Sequence, residues 1–196
     1  MLTHLQNESE TKPLGLPFGN PPWQTGDMTA DDFDRFLRRQ LCWIDGTPTH
    51  ASSARQRQCP HCRRKWSYAR LQMRWDAALA LAAGRSRVEC ANELGIDVHT
   101  SGCLYAAMEK RLVEHFAREL ASSAAGNSAD AQEMMEAWRK LQRLRTQTAR
   151  NRHLAELCLR HRAVEHRVNL LFQLCFRDEV RARVSRRLAG TFLSAP

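Results

Sequence analysis

Apolar residues along most of the chain recur every three or four positions, which predicts a mainly α-helical protein. Phe33, Phe36, Leu37 and Leu41, with Gln40 on the same stripe, mark one amphipathic helix from Thr29 to about Cys42. Thr29-Ala-Asp-Asp32 reads as a capping box, and the acidic start (Asp31, Asp32, Asp34) and basic end (Arg38, Arg39) suit the helix dipole. Leu71, Trp75, Ala78, Leu79 and Ala82 line one face of a helix over 70–83, stopped by Gly84. Ser86-Arg-Val-Glu89 is a second capping box and opens a short helix from Val88 to Leu94. Gly95 turns the chain and Ile96 plugs the angle. A longer helix starts at 97–100 and runs through Leu104, Met108, Leu112 and Phe116. A helix, a short helix with a small residue at Ala91, a glycine turn and a longer helix follow the grammar of a helix-turn-helix, here over 70–119.

Elsewhere the pattern breaks or changes. Residues 1–28 are polar and interrupted by Pro and Gly, so they read as a flexible tail. The apolar beads Leu14, Leu16, Phe18 and Trp23 could instead form a docking strip. Residues 120–129 are a small-residue linker. From Asp130 to about Leu188 Gly and Pro are nearly absent. Apolar positions fall at Met134, Trp138 and Leu141, then resume at Leu157, Val164, Val168, Leu171 and Cys175, with His161 in the gap. Arg145 to Arg152 has no apolar stripe and reads as a bend. Residues 130–196 are therefore expected to form a basic hairpin of two long helices, or an oligomerisation arm in which one helix pairs with a second subunit. Asp178 can cap a last short helix with Val180, Val184 and Leu188 inside and Arg181, Arg183, Arg186 and Arg187 outside.

Charge adds a partner to this picture. The 196 residues, 43% of them hydrophobic, suffice for one medium domain or two small ones, and the formal net charge is +9. That charge is clustered. Arg55, Arg57, Arg63, Arg64, Lys65, Arg70 and Arg74 fall in a stretch without Asp or Glu, interleaved with Trp66, Tyr68 and Trp75. Such a cluster points to a polyanion, most often nucleic acid. Over 130–190, fourteen Lys/Arg against seven Asp/Glu leave a net of +7. This reads either as a second phosphate-tracking surface or as a solvated helical face. No apolar run approaches the ~20 residues of a membrane span and no signal pattern opens the chain. The expected compartment is the cytoplasm, or the nucleoid in a bacterium. The seven Cys then read as metal ligands or buried thiols.

Residues 29–69 combine the first helix with a candidate metal site. Cys59-Pro-His-Cys62 is a zinc-knuckle half. Cys42-Trp-Ile-Asp45-Gly46 occupies the place of a partner knuckle, and thirteen residues separate Asp45 from Cys59, a normal ribbon loop. Zinc takes four tetrahedral ligands, usually Cys or His and less often Asp. Cys42, Cys59 and Cys62 supply three sulfurs. Asp45, His50 in the loop or His61 inside the knuckle can complete the shell; packing of the two halves without metal is the remaining alternative.

The ribbon ending in CPHCRRKWSY, the helix after it and GRSRVECANELGIDVHTSGCLYAAM together resemble the N-terminal zinc-ribbon plus helix-turn-helix half of bacterial insertion-sequence transposases and their short regulatory proteins. The resemblance covers roughly 40–118 and rests on layout. It implies one zinc held by Cys42, Cys59 and Cys62, with Asp45 standing where the family has a fourth Cys. It also implies that 98–105 faces a DNA groove, offering His99, Thr100, Ser101 and Tyr105 beside Val98 and Gly102. That stretch lacks the Arg, Lys, Asn or Gln that make bidentate base contacts.

The chemistry of an enzyme is not legible. Residues 120–196 show no strand pattern and no trio of spaced carboxylates. His161, Glu165 and His166 are spaced i, i+4, i+5, which fails the metalloprotease pattern. Cys90, Cys103, Cys158 and Cys175 stand alone on helices, three of them on apolar faces. The expected fold is mainly α, with a small zinc ribbon followed by a helix-turn-helix and a C-terminal long-helix hairpin. The expected function is that of a non-catalytic DNA-binding protein, regulatory or architectural and tied to a mobile element. It would grip duplex DNA and act as a homodimer or with a protein partner through 130–188. The rivals are an interaction subunit of a larger nucleoprotein complex, and a transposase or nuclease remnant. Backbone contacts alone leave RNA open as the ligand.

Overall fold

A computed structural model describes residues 28–122, 136, 139, 141, 146–183 and 185. The expectations for the N-terminal tail with its apolar beads, for 123–129 of the linker, for most of 130–145 and for 186–196 lie outside the described residues. The described chain is mainly helical with one small sheet.

Helix α1 spans Ala30–Arg39. Its capping box forms as the sequence requires: the Asp32 N–H donates to Thr29 Oγ1 at 3.1 Å, and the Thr29 N–H donates to Asp32 Oδ2 at 3.2 Å. The helix ends at Gln40, which turns left-handed (φ 51°) and returns its N–H to Leu37 O at 3.1 Å. Strands β1 (His50–Ser53), β2 (Gln56–Gln58) and β3 (Lys65–Trp66) form an antiparallel sheet in that order. Helix α2 spans Ala69–Ala82, α3 Arg87–Leu94 and α4 Val98–Ser122. Ser86 and Glu89 close the second capping box, and Gly95 adopts the left-handed conformation (φ 62°) that the turn demands. Helix α4 outruns its expected end and takes in the first three linker residues.

The core is built around aromatic rings from distant parts of the chain. Phe33 of α1 meets Trp75 of α2 edge-on, with centroids 4.9 Å apart. Phe172 and Phe176 from the C-terminal region close on the same pair at 5.3–5.4 Å from Phe33. The Trp75 indole N–H donates to Asp34 Oδ1 at 2.8 Å. Trp43 stacks on both Phe33 and Phe36 and lies beside Tyr68, which joins the sheet region to α1.

The C-terminal half departs from expectation. Helix α5 (Gln147–Arg160) runs through most of the stretch expected to bend, because Thr146 caps it and Leu154, Ala155, Cys158 and Leu159 give it a buried face. The break falls instead at His161–Ala163, before α6 (Val164–Phe172). A π-helical turn, Gln173–Arg177, follows, and the chain stays helical through Asp178 to Arg183, so Asp178 caps no new helix. Over its described residues this half is not a separate arm. Helix α5 packs on α4 and α6 on α2, and Leu171, Phe172, Cys175, Phe176 and Val180 belong to the main core.

Several of its arginines are consumed in that packing. Arg167 spans two helix ends: Nη1 donates to Ala82 O at 3.0 Å, Nη2 to Arg160 O at 3.3 Å and Nε to Arg162 O at 2.7 Å. Helix C-termini leave carbonyls without partners, and a guanidinium fork satisfies several at once. Arg162 donates to Cys158 O and lies over the Phe116 ring. Arg183 pairs with Glu179.

The face of α4 that meets α3 carries a buried ion pair. Arg87 Nη2 donates to both oxygens of Glu109 at 2.8–2.9 Å, and the Glu109 side chain is only 3% exposed. Breaking such a pair strands a charge, whereas replacing both partners does not. Arg87→Met is expected to cost about 3 kcal/mol, and Arg87→Met with Glu109→Leu to recover most of it. Urea unfolding midpoints of the single and double variants check this.

Candidate metal centre

Two short turns of the same construction face each other. In the first, Cys42 N–H donates to Thr47 O at 2.7 Å, Gly46 is left-handed (φ 73°), and Leu41 bridges Pro48. In the second, Cys59 N–H donates to Arg64 O at 2.9 Å and Arg63 is left-handed (φ 55°). Gly46 accepts its conformation without strain; Arg63 adopts it at a cost that the closed turn must offset. In each turn an early backbone N–H points at the first sulfur: Ile44 N–H at Cys42 Sγ and Cys62 N–H at Cys59 Sγ, both at 3.5 Å. Asp45 and Cys62 hold equivalent places, three residues beyond the first Cys of each turn.

The turns bring four ligand atoms together. One atom each from Cys42, Asp45, Cys59 and Cys62 lies within 4.8 Å of all the others. Cys42 Sγ and Cys62 Sγ are 3.7 Å apart, and Cys59 Sγ is 3.2 Å from Asp45 Oδ2. Ligands held at ~2.3 Å around a tetrahedral ion stand ~3.7 Å from one another. The sulfur separation suits that geometry and is far too long for a disulfide. These four side chains could hold a metal ion such as zinc. His50 and His61, the other candidates for the fourth ligand, are exposed and lie outside this group.

The surroundings orient the site. Burial pushes the Cys42 thiol well above its ordinary range and also raises Cys59. Burial pushes Asp45 the same way, but hydrogen bonds from the Thr47 hydroxyl and N–H, with those from the Cys59 and Cys42 thiols, together outweigh it and hold the carboxyl below its usual value. Thr47 engages Asp45 Oδ1 and leaves Oδ2 aimed at the cluster. Thr47 is therefore the residue that orients the carboxylate, a role the sequence reading missed. Its signal was present, since an Asp two residues before Thr favours this local turn.

The basic residues assigned to nucleic acid divide into two sets. Arg55, Arg63, Lys65 and Arg70 are exposed. Arg64 is half-buried. Arg57 is half-buried and donates through Nε to Thr49 Oγ1 at 3.1 Å. Arg74 is paired with Glu179 at 2.7 Å and lies over the Phe176 ring, so it closes the core rather than the surface. Trp66 is a correction: it alternates with the exposed Lys65 on β3, so its ring turns inward and is buried. Tyr68 and Trp75 are buried too, so none of the three interleaved aromatics offers a face to solvent.

On α4, His99 is exposed, with Nε2 3.6 Å from Cys103 Sγ. Thr100 is half-buried and donates its N–H to Asp97 Oδ1 at 2.8 Å. Ser101 and Tyr105, also expected at a groove, are buried. Their hydroxyls donate to Arg87 O at 2.9 Å and Arg85 O at 3.2 Å, which pins α4 to the start of α3. The reason is helical spacing: Ser101, Tyr105, Met108 and Leu112 share the inward stripe. Cys90, Cys158 and Cys175 are buried as their helices predicted, and Cys103 is exposed.

The chain as purified is expected to retain a divalent metal that Cys42→Ser and Cys62→Ser variants lose. Elemental analysis measures this directly, and a chelator should lower the thermal midpoint of the wild type more than that of either variant.

Compared with protein-family models, curated proteins and solved structures, the chain gives no match.

Proposed function

We propose that this chain is a non-catalytic DNA-binding protein whose ribbon, stapled by one zinc ion, grips the phosphate backbone. The observation that carries the reading is the exposed set Arg55, Arg63, Lys65 and Arg70, set in a stretch from 46 to 75 that contains no Asp or Glu. Cations presented together without carboxylates between them favour a polyanion. The four-ligand cluster supports the zinc assignment. Three sulfurs and one carboxylate fill a tetrahedral shell and leave no open position for substrate, as in structural rather than catalytic sites. The zinc would hold the two turns at fixed separation and so fix the positions of Arg63 and Lys65.

The order α3, Gly95, α4 follows the layout of a helix-turn-helix, and the resemblance to mobile-element DNA-binding regions adds to the reading. The role is regulatory or architectural, in the cytoplasm or on the nucleoid. The exposed residues at the start of α4 are Val98, His99 and Cys103, with Gly102 partly exposed, so α4 contributes little base reading.

One observation favours a second reading, that of an interaction subunit in a nucleoprotein complex. Val88 and Val98 are 54% and 50% exposed at the starts of α3 and α4, where a DNA-reading face would be polar. A protein partner would cover them.

Affinity for duplex DNA is expected to fall roughly a hundredfold between 50 and 200 mM salt if about four phosphates are neutralised. Arg63→Gly, Lys65→Ala and Arg70→Ala together should remove most binding and flatten the salt slope. Titration by fluorescence anisotropy reads both, and an unchanged slope sinks the reading. Asp45→Cys should tighten zinc retention against a chelator by supplying a fourth thiolate.

A further inference from the structure

We propose that sequence readout belongs to the apex of the β1–β2 hairpin, through Arg55 and Gln56 in the major groove of duplex DNA, and not to helix α4. The inference rests on the DNA-binding reading above and adds where specificity lies.

The outer part of the hairpin lies outside the core. All four residues of β1 are exposed, as are Ala54, Arg55 and Gln56, and none of His50 to Gln56 joins the core. A two-stranded ribbon without an apolar face is marginal by itself. Here its stem is braced. Strand β2 pairs with β3 (Arg57 with Trp66, Gln58 with Lys65), Arg57 Nε donates to Thr49 Oγ1, and the Gln58 side-chain amide donates to Arg63 O at 2.8 Å. The turn is shaped locally too. The register shifts between Ala51 and Ser53, Ser52 Oγ donates to Gln56 O at 3.2 Å, and the Arg55 N–H points at Ser53 Oγ at 3.4 Å. Ser53 pairs with Gln56 across the two-residue turn Ala54–Arg55, and neither turn residue has positive φ. Such a turn splays its strands, and the irregularity beside it restores twist.

The stem is therefore held while the apex side chains are open. Among the described residues, the Arg55 guanidinium and the Gln56 amide make no hydrogen bond or ion pair. Exposed groups of this kind on a rigid stem are suited to an external ligand. The major groove, ~12 Å wide, admits a two-stranded ribbon. Arg forks onto guanine O6 and N7, and Gln onto adenine N6 and N7, so the two neighbours match a purine-containing step. Charge selects the occupant: the apex belongs to a stretch, 46 to 75, that contains no Asp or Glu and exposes Arg55, Arg63, Lys65 and Arg70. Helix α4 lacks this chemistry, since Ser101 and Tyr105 are buried and the Thr100 hydroxyl is engaged by Asp97.

The test uses the zinc-loaded full chain and a pool of randomised duplexes. The wild type is expected to enrich a purine-containing motif. Arg55→Ala with Gln56→Ala should lower the ratio of affinities for that motif over a scrambled duplex about tenfold or more. His99→Ala with Thr100→Ala should leave the ratio unchanged. Replacing motif purines with their 7-deaza analogues should lower wild-type affinity for the motif and leave that of the double apex variant as it was. Equal zinc content and thermal midpoint show that both variants are folded. A ratio that survives the apex variant, or collapses in the α4 variant instead, overturns the proposal. So does loss on removing the guanine 2-amino group, which reports the minor groove, without loss on 7-deaza substitution. Tight binding with no enriched motif overturns the apex readout but leaves the DNA-binding reading standing. No binding to any duplex overturns both.

Discussion

The packing of Phe33 against Trp75 holds the molecule together. The two rings come from helices α1 and α2, more than forty positions apart, and meet edge to face with Asp34 accepting the indole N–H. Two further rings from the C-terminal region, Phe172 and Phe176, complete the cluster, and Trp43 links it to the Cys42 turn. Edge-to-face aromatic pairs add about 0.5–1.5 kcal/mol each beyond the area they bury. The stronger consequence is geometric. The two cysteine turns, the helices over 69–122 and the C-terminal half share one core, so displacing any of them disturbs the others.

The candidate metal centre is a local problem solved twice. Each turn places a sulfur, points a backbone N–H at it, and ends in a left-handed residue that folds the chain back. The second turn achieves this with Arg63 instead of glycine. The first replaces the second sulfur with Asp45, which Thr47 orients. A carboxylate is a harder ligand than a thiolate, and its exposure beside three more protected sulfurs makes it the side from which the site opens to water.

Charge is the feature that changed most between sequence and structure. The cluster Arg55–Arg74 reads as one surface on paper. In three dimensions Arg74 turns inward to Glu179 and the Cys175 carbonyl, and Arg57 braces Thr49. In the C-terminal half, Arg162 and Arg167 satisfy carbonyls at helix ends that would otherwise lack partners. An arginine run therefore overstates the surface available to a polyanion whenever helix ends and π-turns nearby need donors. The π-turn at Gln173–Arg177 is one such place, since Cys175 and Leu174 give their carbonyls to Arg74 and Arg111.

What the sequence by itself determined is what depends on residues a few positions apart. Both capping boxes, the left-handed turn at Gly95, the inward stripes of α1 and α2, and the Cys-x-x-Cys turn are written in hydrogen bonds and periodicities that span four residues or fewer. The pairing of Cys42 with the second turn was legible as a ribbon layout, but sequence spacing left Asp45, His50 and His61 open as the fourth group, and the fold brings Asp45 to the sulfurs. Only the tertiary structure decided which side of each element faces solvent where the local pattern is even-handed. Trp66 on a two-residue strand carries no period to read. Ser101 and Tyr105 look polar until the Arg87 carbonyl at the start of α3 and the Arg85 carbonyl in the connection before it accept their hydroxyls. Helix α5 persists through Arg152 and breaks at His161–Ala163 because Ala155, Cys158 and Leu159 fit the main core and Leu154 packs with Val113 and Leu141. The carbonyls that Ser101 and Tyr105 meet lie 14 and 20 positions away, and no local pattern encodes them.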